Sequence, residues 1–154
     1  MRLLSNGADD TLGYGLKLGR LLRKGDTVCL FGNLGAGKTT FVKGIASAFG
    51  IPERDITSAS FTIIAEYRGT LNNAGINFYH IDLYRIESAG QLDSVGIDEY
   101  IGSDGISVIE WAERLGEIED AICVIFNMLD GDKRELIIEG IDEKNWDNMQ
   151  GRKA

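Results

Sequence analysis

Apolar positions along the chain fall into short runs broken by glycine and polar turns, and the spacing within each run predicts an element. From Asp9 or Asp10, either of which can cap a helix, Leu12, Leu16, Leu18 and Leu22 recur on a helical pattern toward Arg23. Gly25-Asp26 turns the chain into a short apolar strand, Thr27 to Phe31. A glycine-rich loop follows, then a helix from about Lys38 to Phe49, closed by Gly50 with Pro52 beyond it. An extended segment from Phe61 to Arg68, a turn-rich stretch from Gly69 to Gly75 and a strand from Ile76 to Leu83 predict an antiparallel hairpin. Residues 88–101 read as short helices and turns, and Ile106 to Glu110 as a strand that ends at Trp111. Two last strands, Ala121 to Met128 and Arg134 to Ile138, flank a polar turn. One domain over residues 1–141 is expected, with 142–154 as a polar, loosely held tail.

Composition agrees with a soluble domain: 154 residues, 44% hydrophobic and 26% charged, are enough for one buried core. No apolar run approaches the roughly 18 residues of a membrane span. Asp9 and Asp10 follow the first residues with no long apolar region between, so no secretory signal is read and the cytoplasm is the expected compartment. Cys29 and Cys123 each sit inside an apolar run and read as buried, inert thiols. A single histidine excludes most zinc clusters. The net charge of −8 leaves no basic face for gripping nucleic acid, so any RNA chemistry would pass through protein partners.

The glycine-rich loop changes the picture from fold to function. Gly32-Asn33-Leu34-Gly35-Ala36-Gly37-Lys38-Thr39 fits the phosphate-loop pattern at every fixed position. Its glycines let the backbone curl so that amides from Gly35, Ala36, Gly37, Lys38, Thr39 and Thr40 can point at phosphate oxygens. The following helix aims its positive end at the same place. Lys38 is expected to reach the β- and γ-phosphates and Thr39 to ligate Mg²⁺. A chance match would lack the preceding strand and following helix, both of which are read here. With these elements the fold class is α/β: a P-loop NTPase-like three-layer sandwich with a mixed, mostly parallel sheet plus an antiparallel hairpin.

Hydrolysis also needs a metal-holding carboxylate and a group that orients water. Two acids close apolar strands, Asp82 and Glu110, and spacing does not decide between them. Ser58-Ala59-Ser60-Phe61 lies where a hydroxyl can sense the γ-phosphate, position water, or simply cap a turn. The absence of an Asn-Lys-x-Asp motif favours adenine over guanine, which points to ATP.

Taken in order, these segments resemble the bacterial tRNA threonylcarbamoyladenosine biosynthesis ATPase family, TsaE, from about Asp10 to Gly140. Asp10-Thr11-Leu12 is similar to the family's acid-threonine motif, and Gly32 to Phe41 to its phosphate loop, with Asn33 where aspartate is common. Ser58-Ala59-Ser60-Phe61 resembles a Ser-Pro-Thr-Phe switch, residues 80–85 a His-x-Asp-x-Tyr-Arg segment, and Glu110-Trp111 a Glu-Trp motif. The resemblance implies that Thr39 and Glu110 hold Mg²⁺ and that Asp82 supports hydrolysis. It implies that Ser60 and Trp111 serve activity and that Thr11 and Arg134 contact the nucleotide. It also implies slow intrinsic ATPase activity and docking on a TsaB–TsaD heterodimer, which hydrolysis resets between turnovers, with tRNA held only by those partners. His80 and Trp111 each have a packing reading beside the functional one. Ala59 and Ser60 depart from Pro-Thr, which frees the switch backbone and the hydroxyl rotamer. A small-molecule kinase and a nucleotide-dependent binding module remain as alternative uses of the same loop.

Overall fold

The computed structural model of the protein describes residues 1–57 and 63–149. The strands are β1 Arg2–Ser5, β2 Thr27–Phe31, β3 Ile64–Leu71, β4 Ala74–Asp82, β5 Ile106–Glu110, β6 Ile122–Met128 and β7 Arg134–Glu139. The helices are α1 Ala8–Gly19, α2 Lys38–Ser47, α3 Ala89–Val95 and α4 Glu143–Asn148. The sheet order is β1-β7-β6-β2-β5-β4-β3. The four central strands, β6, β2, β5 and β4, are mutually parallel, while β3, β7 and β1 extend the two edges by antiparallel pairing. Because β1 reverses β7, which reverses β6, five of the seven strands share one direction, and the mostly parallel α/β architecture expected from the sequence holds.

Strand pleating assigns the two faces. Even-numbered residues of the central strands, among them Val28, Leu30, Phe78, Ile106 and Val108, pack with Phe41, Ile45 and Phe49 of α2 and its exit. Odd-numbered Cys29, Ile81 and Ile109 join Leu83, Ile86 and Ile97 on the other face, under α3 and the two 3₁₀ turns Ile97–Glu99 and Ala112–Arg114. This third layer is thin. Each fully buried large side chain contributes roughly 1.5–3 kcal/mol relative to exposure, so the α2 face carries most of the core.

The layer over that face is held by glycine. A Cβ on Gly15 would collide with the Phe41 carbonyl oxygen, and one on Gly44 with the Leu12 carbonyl oxygen. The α1 and α2 backbones therefore meet almost directly. Asp9 and Asp10 lie in the first turn of α1, not at its cap, which is Gly7. Asp10 instead accepts from the Asn6 amide at 2.9 Å, and both acids complement the helix dipole.

Two further expectations differ. The stretch read as turn-rich is mostly strand: only Asn72 and Asn73 turn, at φ 51° and 66°, the left-handed pair that a two-residue hairpin needs. The first residues, for which no element was read, form edge strand β1. The segment after Asp142 is not a loose tail through residue 149. Asp142 caps α4, and Trp146 is buried against α1, its ring tilted against Tyr14 with centroids 6.5 Å apart and the Lys17 ammonium 4.4 Å from its ring. Burial of one indole outweighs the polar residues around it. Cys29 is buried and Cys123 half-buried, both free, and burial pushes the Cys29 thiol up to about 12, in keeping with inert thiols. Among the described residues no helix is long and apolar enough to cross a membrane.

Candidate functional site

The parallel strands end at one edge of the sheet, where open α/β folds bind ligands. There β2 runs into the glycine-rich loop, and Gly35 and Gly37 take φ values of 78° and 99° that other residues rarely adopt. Gly37 caps α2 without a side-chain hydrogen bond, so the first-turn amides of Lys38, Thr39 and Thr40 have no intrahelical partner. Leu34 projects from the loop, 71% exposed.

A pocket of about 410 Å³ opens over the loop, and Lys38, Thr39, Asp82, Glu110 and Trp111 all line it. Asp82 and Glu110 are register partners on neighbouring parallel strands, so their even numbers put both carboxyls on the α2 face. The Thr39 hydroxyl donates to Glu110 Oε1 at 3.0 Å and lies 3.1 Å from Oε2. The His80 ring lies two residues before Asp82, fully buried, with Nε2 2.5 Å from Glu110 Oε2. Asp82 Oδ1 accepts from the Tyr84 amide at 2.9 Å.

Lys38 is buried beneath Trp111, its ammonium 3.8 Å from the ring centroid. It donates to the Gly32 carbonyl and, at 3.3 Å, to the Asn33 carbonyl. Burial lowers its pKa, against the opposing pull of Glu113, Glu110 and Asp82. Burial also raises the Asp82 carboxyl above its ordinary value, helped by Glu110 and opposed by the Tyr84 amide, His80 and Lys38. The indole reaches its place because Trp111 itself sits at φ 57°, an unusual conformation for a bulky residue that costs of order 1–3 kcal/mol. That turn throws the chain from β5 into the 3₁₀ turn Ala112–Arg114.

Thr11 and Arg134 line a second, adjoining pocket of about 290 Å³, across the loop from the acids and sharing Gly35, Gly37 and Thr40 with the first. Thr11 is held by Ser5, hydroxyl to hydroxyl at 2.7 Å, and a Cβ on Gly37 would meet its methyl at 3.5 Å. Arg134 donates to the Gly35 carbonyl at 3.2 Å and to Gly131 and Lys133 carbonyls. It braces the loop from β7.

The donors suit a hard divalent cation: one hydroxyl and one carboxylate already face each other, with a second carboxylate on the neighbouring strand. Among the described residues no group of three or more His, Cys, Asp or Glu side chains forms a complete cage. Thr39 and Glu110 are the residues that would hold such a cation, with Asp82 beside them.

A model of the threonylcarbamoyl adenosine biosynthesis protein TsaE family matches residues 5–136. The chain belongs to the TsaE family. It is 40% identical over 140 residues to the tRNA threonylcarbamoyladenosine biosynthesis protein TsaE of Treponema pallidum, covering 90% of this chain and 99% of that one. The Bacillus subtilis protein of the same name is 36% identical over 124 residues, covering 79% and 74%. The crystal structure of Bacillus subtilis YdiB superposes with a TM-score of 0.68 at 28% identity, over 97% of this chain and 91% of that chain.

Within this TsaE-family fold, nine sequence-derived site residues meet around one pocket, Gly35 to Thr40 with Asp82, Glu110 and Trp111, and two more, Thr11 and Arg134, around its neighbour. Ser60 lies outside the described residues. Sequence reasoning missed Glu113, whose carboxylate accepts from the Gly32 amide at 3.2 Å and faces Lys38. No spacing signal marks that residue. It also left His80 undecided, although the two-residue step from His80 to Asp82 already put both on one strand face.

Proposed function

We propose that this chain is the Mg²⁺-dependent ATPase subunit of tRNA threonylcarbamoyladenosine biosynthesis, hydrolysing ATP to reset a TsaB–TsaD complex in the cytoplasm. The observation that carries the ATPase reading is the Thr39–Glu110 contact at the mouth of the phosphate loop, with Asp82 in register beside it and Lys38 beneath. Family membership supports the pathway.

Thr39 and Glu110 would hold Mg²⁺, which when bound neutralises charge on the β- and γ-phosphates. Lys38 exchanges its carbonyl partners on Gly32 and Asn33 for phosphate oxygens, stronger acceptors because they are charged. The amides of Gly35, Ala36, Gly37, Lys38, Thr39 and Thr40 receive the remaining phosphate charge. Asp82 orients the attacking water, and its raised pKa makes it a better proton acceptor than an exposed aspartate. The Ser60 hydroxyl would sense the γ-phosphate or position water. Trp111 covers Lys38 and excludes water from it, while Thr11 and Arg134 contact the nucleoside end. With a net charge of −8, tRNA is engaged only through the partners.

Phosphate release by the purified chain, alone and with its own TsaB–TsaD pair, tests this directly. Slow release alone and marked stimulation by the pair are expected; equal rates would remove the partner from the reading. A phosphorylated metabolite in place of free phosphate would make the chain a kinase. Glu110→Ala is expected to raise the Mg²⁺ concentration needed for turnover, and an unaltered titration would pass the ligand role to Asp82.

A further inference from the structure

The carboxylate of Glu110 is held from two sides, and only one of them distinguishes its oxygens. The Thr39 hydroxyl is nearly equidistant, 3.0 Å from Oε1 and 3.1 Å from Oε2. His80 contacts Oε2 alone, at 2.5 Å. Both partners are deeply buried, His80 fully and Glu110 at 3% exposure, so water does not compete for the contact.

The other ring nitrogen fixes the tautomer. His80 Nδ1 is buried and has no hydrogen-bond partner. A neutral imidazole carries one N–H and one bare nitrogen. With the proton on Nδ1, a donor would be orphaned and the bare Nε2 lone pair would face a carboxylate oxygen. With the proton on Nε2, the ring donates to Glu110 and only an acceptor stays unpaired. The second arrangement costs less, since buried unmatched donors are the rarer and dearer case.

We infer that His80 is a positioning residue for the metal carboxylate: its Nε2–H pins Glu110 Oε2 and leaves Oε1, beside Thr39 Oγ1, as the oxygen presented to the divalent cation. This rests on the reading of Thr39 and Glu110 as the Mg²⁺ holders. A carboxylate pinned at one oxygen need not give up its rotational freedom when the ion arrives, and such supporting contacts are worth about 10–100-fold in metal affinity. A histidine serving only to fill space would contribute to stability and leave Mg²⁺ use untouched.

The chain has a single histidine, so its imidazole gives one unambiguous set of nitrogen resonances. A long-range proton–nitrogen spectrum of the intact protein at neutral pH is expected to show Nε2 protonated and Nδ1 bare. A proton on Nδ1 overturns the inference without any mutant. Affinity for a non-hydrolysable fluorescent ATP analogue, titrated with Mg²⁺, supplies the second readout. His80→Leu is expected to raise the Mg²⁺ midpoint about 10–100-fold, and His80→Gln, whose amide nitrogen reaches the Nε2 position, to recover most of it. If His80→Leu fails to fold, His80→Asn replaces it: its amide stops short of the carboxylate, so the same rise is expected. A wild-type midpoint in a folded Leu or Asn variant overturns the inference and leaves the Glu110 reading standing. A wild-type titration that is flat in Mg²⁺ overturns both.

Discussion

One face of the sheet carries two kinds of residue on the same pleat. Toward the amino ends of β4 and β5, Phe78, Ile106 and Val108 point at α2 and are fully buried. Two to four residues further along the same strands, on the same face, stand His80, Asp82 and Glu110, and these are buried almost as deeply. Backbone geometry treats the two halves alike. They differ in that burial stabilises the first half and costs free energy in the second, where Lys38 and Asp82 are both displaced from their ordinary pKa values by desolvation. The lesson is that the core half supplies the stability that the site half spends.

The sharpest way to break the comparison is to remove an anchor from the core half. Phe78→Ala, which leaves a cavity against Phe49 and Tyr67, is expected to lower unfolding free energy by about 3–5 kcal/mol. Denaturant titration reads it, and a loss below 1 kcal/mol would mean that this half is not the stabilising one. In the site half, Lys38→Ala should weaken ATP binding by about 3 kcal/mol, the upper range for one charge-assisted bond. Calorimetric titration with an ATP analogue measures this, and unchanged affinity would remove Lys38 from the phosphate site.

The smallest effect has the opposite sign. Asp82→Asn should abolish efficient hydrolysis yet stabilise the nucleotide-free protein by about 0.5–2 kcal/mol at neutral pH. Because the folded pKa of Asp82 is raised, between the two pKa values the folded protein retains a proton that the unfolded chain has released. That contribution is whole below the unfolded value of 3.8 and is lost as pH rises through the folded one. The stability gap between Asp82→Asn and wild type should therefore widen as pH rises from acid toward neutral. Parallel curves across that window would place the cost of burial elsewhere.

Much of this division was legible in the chain. The apolar runs of β2, β5 and β6 and the phosphate-loop pattern each carry a local signal strong enough to survive without tertiary context. Asp82 and Glu110 were legible as strand-end acids, but their pairing was not, because register between strands some 28 positions apart is set by packing. The same limit hid the His80 contact and Glu113. Edge strand β1 spans only four residues, too few for a period, and α4 hangs on one tryptophan among polar neighbours. The left-handed turn at Trp111 runs against residue preference, as functional turns often do.

The glycine joint between α1 and α2 has a mechanical consequence. At Gly15 and Gly44 no side chain stands between the two backbones, so a larger residue at either position would drive the helices apart. Thr11, in α1, lines the same pocket as Gly37, where the phosphate loop becomes helix. The amino-terminal segment and the phosphate loop therefore share one wall, lined by Thr11 from the first and Gly37 from the second.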